Sequence, residues 1–360
     1  VNNSSKLAQS IGWFNREGPD YDVVLASRVR LSRNLSGHLF PGTMDSDEEN
    51  EVQDEILNAF STIGKEEELE TYFLNEIEPT ERRILLERNL ISQDYSLQTH
   101  RAVVLGDEPT YVGLINEIDH LRTVGLQGGL SLEGVYERVN ALDSLLEKNL
   151  DFAVSLDWGY INTEVTNIGT GMRASVMLHL PALVKTSLID RAFKAIVQLG
   201  LNIKGFFGDE EKSLGDMYQI SNQITLGVSE KEIREKLENI THQIVNYERK
   251  ARNELLKKRR IEIEDKVHRA FGILTHCKTI TSKEAIELLL DLRTGVAMGI
   301  IDIPIDRVTG LLFLSQKSHI QQHMESEEAE IDSIYLDYTR AKLIQASIRG
   351  NPGSMEENNV

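Results

Sequence analysis

The sequence predicts an α+β domain followed by a smaller all-helical one. Three observations carry this. The chain has 360 residues, too many for one minimal core and suited to two domains. Its first 255 residues mix β-branched apolar runs, glycine punctuation and helical periodicity. After about residue 256 the strand signals vanish, and 261–276, 282–299, 304–316 and 327–346 all look helical. The expected organisation is a catalytic-type α+β unit over 18–255, a helical unit over 256–348, and a disordered tail over 349–360.

The elements follow in order. "DVVLASRVRLSRNL" (22–35) starts as a β-branched run and continues with Arg28, Arg30 and Arg33. In an extended chain Arg28 and Arg30 point to the same side. "HRAVVLGDEPTYVGLINEIDHL" (100–121) reads as two strands joined by the "GDEP" turn. Leu132, Val135, Val139, Leu142 and Leu146 are spaced by three and four, which predicts a helix over 131–149. "GYINTEVTN" (159–167) reads as strand or loop entering "IGTGMRASVMLHLPAL" (168–183), which Pro181 ends. "IDRAFKAIVQLG" (189–200) predicts a helix closed by Gly200, and 202–229 a glycine-punctuated hairpin with a mobile loop. Ser229 and Glu232 form a capping box in front of a long amphipathic helix.

Composition excludes several roles. The formal charge is −18, concentrated in runs such as "DSDEENEVQDE" (45–55), and a surface this acidic is unsuited to general nucleic-acid binding. No apolar stretch approaches a membrane span, and the N-terminal segment lacks an apolar signal core. Cys277 is the single cysteine, which excludes an internal disulfide framework and fits a reducing cytoplasm.

Four stretches, "LASRVRLSRNL", "NEIDHLR", "NIGTGMRASVMLHLPAL" and "GDMYQISNQITLG", together resemble the ATP:guanido phosphotransferases, the family of the phosphagen kinases. Within that family the chain most resembles the bacterial McsB-type protein-arginine kinases, which carry a helical C-terminal domain. The resemblance runs from about residue 18 to 346. It implies a phosphagen-kinase-like catalytic domain, an antiparallel sheet flanked by helices. It also implies transfer of a phosphoryl group from ATP, with Mg2+ carried by the nucleotide and no protein metal site, to an arginine side chain. Phosphoryl transfer needs in-line positioning and positive charge around the phosphates, which planar arginine forks supply. The resemblance assigns that clamp to Arg28, Arg30, Arg122 and Arg173. It lines the nucleotide with Ser27, Arg28, Val29, Arg30 and Leu31, with Arg173, Ala174, Ser175, Val176 and Met177, and with Lys204, Gly205, Phe206, Phe207, Gly208 and Asp209. Lys204 stands where the family has arginine, keeping charge but losing the fork. Asn89 stands where related chains have a nucleotide-contacting histidine.

The acceptor side departs further. A guanidinium has a pKa above about 12 and needs help to become nucleophilic. The family orients it with two carboxylates. One of these positions is Ile118 here, and the other is Asp209. With 116–120 read as strand, Glu117 and Asp119 point away from the face of Ile118 and cannot replace it. Glu164 occupies a family cysteine position near the acceptor, where it forms either a rearranged acidic pair with Asp209 or a solvated residue at a strand end. In the helical unit "LDYTRA" (336–341) keeps Asp337, Arg340 and Ala341 of a phosphoarginine-binding motif whose first arginine is replaced by Leu336. By resemblance the partners are proteins with exposed arginines and Clp protease components, and the chain forms a homodimer or larger homo-oligomer. Two other readings stand beside this one: a nucleotide-binding pseudokinase, because of Ile118, and a kinase of a small guanidino compound.

Overall fold

The structure is a computed structural model that describes residues 12–67, 69–97, 101–106, 111–206, 214–324 and 332–350. The strands are β1 (Val24–Arg33), β2 (Glu70–Phe73), β3 (Ala102–Leu105), β4 (Tyr111–Ile115), β5 (Leu121–Gly128), β6 (Val154–Ser155), β7 (Gly159–Tyr160), β8 (Met172–His179), β9 (Leu201–Gly205) and β10 (Met217–Asn222). Eight form one antiparallel sheet in the order β2-β3-β4-β5-β1-β8-β10-β9, while β6 and β7 pair separately. The first strand in the chain therefore lies at the centre, between β5 and β8.

The helices are α1 (Ser46–Glu67), α2 (Pro79–Glu87), α3 (Gln93–Ser96), α4 (Leu132–Leu146), α5 (Pro181–Lys185), α6 (Ile189–Gln198), α7 (Glu230–His276), α8 (Ser282–Ala297), α9 (Ile305–Leu314), α10 (Lys317–His323) and α11 (Ser333–Arg349). Gly200 follows α6 at a φ of 72°, as a C-terminal glycine should. Among the described residues no helix is long and apolar enough to cross a membrane.

Strand alternation sorts the sheet into two faces. Val29, Leu31, Ala174, Val176 and Ile220 point to one side, where Val135 and Val139 of α4 and Leu237, Ile240 and Ile244 of α7 cover them. On the other side Ala26, Val124, Leu126, Met177 and Met217 meet Leu289 of α8 and Leu311 and Phe313 of α9. The helical C-terminal part thus shares a core with the sheet. Each fully buried leucine or phenylalanine there contributes about 1.5–3 kcal/mol.

α7 begins with the expected capping box: the Glu232 amide donates to Ser229 Oγ (3.2 Å) and the Ser229 amide to Glu232 Oε2 (2.7 Å). It then continues past the expected unit boundary at 255/256 and kinks a few residues later. Its internal departure from helical geometry is Arg259 (φ −137°, ψ 34°). "KARNELLKKRRIEIEDKVHRAF" (250–271) has neither glycine nor proline, so nothing in the backbone chemistry stops the helix.

Two buried polar links tie the helical part to the sheet. Arg293 of α8, with no exposed surface, donates to the carbonyls of Tyr21 and Asp22, to Thr309 Oγ1 (2.9 Å) and to His179 Nδ1 (3.2 Å). At the end of α2, Arg88 Nε donates to His319 Nε2 (3.1 Å), while His319 Nδ1 meets Glu87 Oε2 (2.8 Å). The helix carrying His319, α10, is not foreseen in the sequence: its seven residues are too few to show a period.

Candidate active site

The sheet register builds a cluster of cations. Arg30 lies opposite Arg173 across the β1–β8 ladder, and Arg28 opposite Ser175. Across the β1–β5 ladder Ser32, next on the same face, lies opposite Arg122. Because cross-strand partners share a face, Arg28, Arg30, Arg122 and Arg173 all project to one side. Further out, Lys204 lies opposite Gln219, itself opposite Met177, so Lys204 is on that face as well.

The electrostatics agree with this convergence. Burial lowers the Arg28 pKa to about 10, opposed by Glu117 and reinforced by Arg122 and Arg173. Burial lowers Arg30 to about 9, with Arg122, Arg28 and Arg173 adding repulsion against the pull of Glu117. Arg28 and Arg30 both remain cations at neutral pH. Arg28 Nε, Arg30 Nε, Arg122 Nη2 and Arg173 Nε are buried with no hydrogen-bond partner among the described residues. Buried donors without acceptors are costly. An anion with several oxygens, such as a polyphosphate, is their chemical complement.

Residues 116–120 correct the strand reading of this segment. They form a tight turn between β4 and β5, with Asn116 at a φ of 54° and its amide donating to the His120 carbonyl (2.8 Å). In a turn the two-residue alternation lapses. Glu117 therefore faces the arginines: its carboxylate accepts from Arg122 Nη1 (2.7 Å) and from Ser92 Oγ (2.8 Å). Asp119 is fully buried and accepts from Arg122 Nε (3.3 Å) and the Thr163 amide (2.9 Å). Burial favours the neutral Glu117, but Arg122, Ser92 and Arg30 outweigh it and hold its carboxyl below the usual range. His120 is structural, since its Nδ1 accepts from the Leu35 amide (2.9 Å) and its Nε2 meets the Leu39 carbonyl (2.9 Å). Ile118, between these groups, is partly exposed and pairs with nothing polar. Asparagine tolerates a left-handed backbone, and "NEIDH" carries four polar residues in five, which is the signal for a turn.

Glu164 approaches the same cluster. Its Oε2 lies 3.9 Å from Arg122 Nη2 and accepts from Asn167 Nδ2 (2.9 Å), and about half of its side chain is open to solvent. Arg122 thus has three carboxylates around it: Glu117, Asp119 and Glu164.

The other expected residues separate into groups. Ser27, Val29, Leu31, Ala174 and Val176 are buried, and the four apolar ones belong to the core on the opposite face. Ser27 Oγ donates to the Gly129 carbonyl (2.9 Å) and accepts from the Ser131 amide (2.9 Å). These five can line a ligand only through their backbone. Ser175 and Met177 do share the clamp face, with Met177 part of the core there. Gly205 pairs with Tyr218, and the Phe206 amide donates to the Met217 carbonyl (2.9 Å). Phe207, Gly208 and Asp209 lie outside the described residues. Asn89 has a φ of 59° just past α2, a left-handed helix-end position that asparagine suits. In α11, Arg340 is buried and donates to the carbonyls of Ser315 (2.7 Å) and Ile280 (2.8 Å) and to Asp337, while Leu336 packs inward. Among the described residues no group of three or more His, Cys, Asp or Glu side chains is placed to hold a metal ion.

Known proteins give this geometry a context. Residues 51–251 match the family "ATP:guanido phosphotransferase, C-terminal catalytic domain", and residues 260–359 match "Protein-arginine kinase McsB C-terminal domain". A protein-arginine kinase of Halothermothrix orenii is 42% identical over 338 residues, 93% of this chain and 96% of that protein. One from Brevibacillus brevis is 37% identical over 340 residues, 94% and 95% of the two chains. Among solved structures, lombricine kinase superposes with a TM-score of 0.57 at 25% identity, over 68% of this chain and 70% of that one. A duplicated taurocyamine kinase from Schistosoma mansoni, bound to transition state analog components, gives 0.59 at 25% identity, over 68% and 35%. The chain belongs to the ATP:guanido phosphotransferase family, with the protein-arginine kinases among its relatives.

Proposed function

We propose that the chain is a protein-arginine kinase that transfers the γ-phosphoryl group of ATP, as its Mg2+ complex, to arginine side chains of proteins. The observation that carries this is the convergence of four arginines with unpartnered buried donors on one sheet face. Arg28, Arg30 and Arg173 would hold the phosphates, and Mg2+, arriving with the nucleotide, would neutralise charge between phosphate oxygens. Arg122, held by Glu117 and Asp119, marks the acceptor end. Transfer forms an N–P bond, breaks the Pγ–O bond to ADP and releases one guanidinium proton. Glu164, together with Asp209, would orient the acceptor and take that proton, a role that the 3.9 Å approach of Glu164 to Arg122 supports. The phosphorylated proteins would be handed to a Clp-type protease in a reducing cytoplasm, and the chain would act as a homodimer or larger assembly. The unit boundary would fall at the Arg259 kink in α7.

Ile118 favours a second reading, a pseudokinase that binds nucleotide without transfer. Three chains separate the two: the native one, Ile118→Glu and Glu164→Ala, each incubated with MgATP and an arginine-rich protein and assayed for acid-labile phosphate. The kinase reading expects plain native activity that Glu164→Ala removes and Ile118→Glu barely changes. The pseudokinase reading expects saturable nucleotide binding without native transfer. In that case Ile118→Glu restores at most about 10²–10³-fold, the scale of general-base help.

A further inference from the structure

The acceptor end of the site carries an apolar rim. β1 ends at Arg33, β5 begins at Leu121, β8 begins at Met172 and β10 ends at Asn222, so their connecting loops gather at one end of the sheet. The loops are stitched together there. The Thr163 amide donates to Asp119, Tyr160 and Gly169 exchange backbone hydrogen bonds (2.8 and 3.1 Å), and Thr225 Oγ1 donates to the carbonyls of Thr166 (2.8 Å) and Ile168 (2.7 Å). Gly169 lies so close to Thr225 and Leu226 that a Cβ would be 2.8 Å from Leu226 Cα.

Large apolar side chains on these loops face solvent. Leu156 is 106% exposed and Val165 80%, with Trp158 at 56% and Ile224 at 54%, and Ile118 and Leu226 are also exposed. Single exposed apolar residues are ordinary, but six on loops gathered at one end of a sheet suit a contact surface. On the same stitched loops, next in sequence to Val165, stands the half-exposed Glu164 carboxylate, which with Glu117 and Asp119 surrounds Arg122. An acidic centre beside an apolar rim complements a cation flanked by apolar groups. A second copy docked here about a two-fold axis would instead set Glu164 toward its own symmetry mate, which like charges disfavour.

We propose that this rim seats the residues on either side of the acceptor arginine, so that the chain selects arginines in apolar stretches of a protein substrate. The proposal rests on the protein-arginine kinase reading and adds the sequence context of the acceptor.

The test uses the full chain with MgADP and four labelled peptides, read by fluorescence anisotropy. Two carry one arginine, flanked either by Leu, Val and Phe or by Ser and Gly. The other two replace that arginine with lysine. The expected result is at least about tenfold tighter binding of the apolar-flanked arginine peptide than of the polar-flanked one. The variant L156S/W158S/V165S, altered only at exposed positions, should abolish that difference and leave the polar-flanked peptide unchanged. Equal binding of the two arginine peptides to the native chain overturns the proposal, as does equal weakening of both in the variant. A flank preference that is the same for arginine and lysine supports the rim but sinks the arginine-acceptor reading. A fall in native mass of the variant on size exclusion would show that the rim joins copies of the chain, which also overturns the proposal.

Discussion

Two sets of arginines with buried donor nitrogens meet different fates in this molecule. Arg293 and Arg340, in the helical part, direct their donors at main-chain carbonyls and neighbouring side chains. Arg28, Arg30, Arg122 and Arg173, on the sheet, keep buried donors without acceptors and stand close enough to repel one another. The first set closes hydrogen bonds that the fold would otherwise leave open, so it stabilises. The second keeps one buried nitrogen of each arginine without an acceptor, which costs stability and suits an anion with several oxygens. The difference separates a structural cation from a binding one without reference to sequence position.

The largest expected effect falls on the structural set. Arg293→Met leaves the Tyr21 carbonyl and the Thr309 hydroxyl oxygen without this donor, and the Asp22 carbonyl with Arg252 alone. At about 1–3 kcal/mol for each unsatisfied group, unfolding by urea should show a loss of about 3 kcal/mol or more. Arg30→Met should do the reverse. Nucleotide affinity by titration should fall by about 1.5–3 kcal/mol, the worth of one charged hydrogen bond, while the unfolding midpoint holds or rises as repulsion is relieved. A large loss of stability in Arg30→Met would erase the distinction between the two sets.

Smaller effects come from acid. The Glu117 pKa is depressed in the fold, so its stabilisation is fully present above the ordinary carboxylate range and fades as pH falls through its folded value. Glu117→Gln should flatten that part of the stability–pH curve, and an unchanged curve would remove Glu117 from the cluster. His319 acts at higher pH. Burial lowers its pKa, so below about 6.5 the unfolded chain takes up a proton that the folded chain resists, and stability falls on acidification. Melting temperatures of native chain and His319→Gln between pH 7 and 5 should converge as pH falls. Parallel curves would mean that the Glu87–His319–Arg88 link does not titrate.

How much of this was legible in the sequence depends on the kind of signal. The α4 periodicity, Gly200 and the Ser229–Glu232 cap are local, and each stands where the sequence puts it. Arg28 and Arg30 on one face follow from strand alternation alone. Arg122 and Arg173 join them through ladder registers spanning about a hundred residues, which no local pattern encodes, so family resemblance had to supply that link. The contact of Glu117 with Arg122 is not legible because two-residue alternation stops at the turn over 116–120. The change in composition near residue 256 does not coincide with a helix end, and the backbone kinks three residues later, at Arg259. The packing of α8 and α9 on the clamp side of the sheet had no sequence signal, since apolar helix faces do not name their partners.

The central place of β1 has a consequence for the birth of the chain. Residues 24–33 leave the ribosome well before their sheet neighbours 121–128 and 172–179. Pairings of such long range make folding slow and leave strand edges unpaired in the meantime. Arg28 and Arg30 must wait for well over a hundred further residues before Arg122 and Arg173 can face them. The crowding of like charges is therefore deferred to the closing of the sheet, and a nascent chain arrested before β8 would carry an exposed, unclosed half of the clamp. Binding of a polyanion would then act late in folding, drawing the last central strands together.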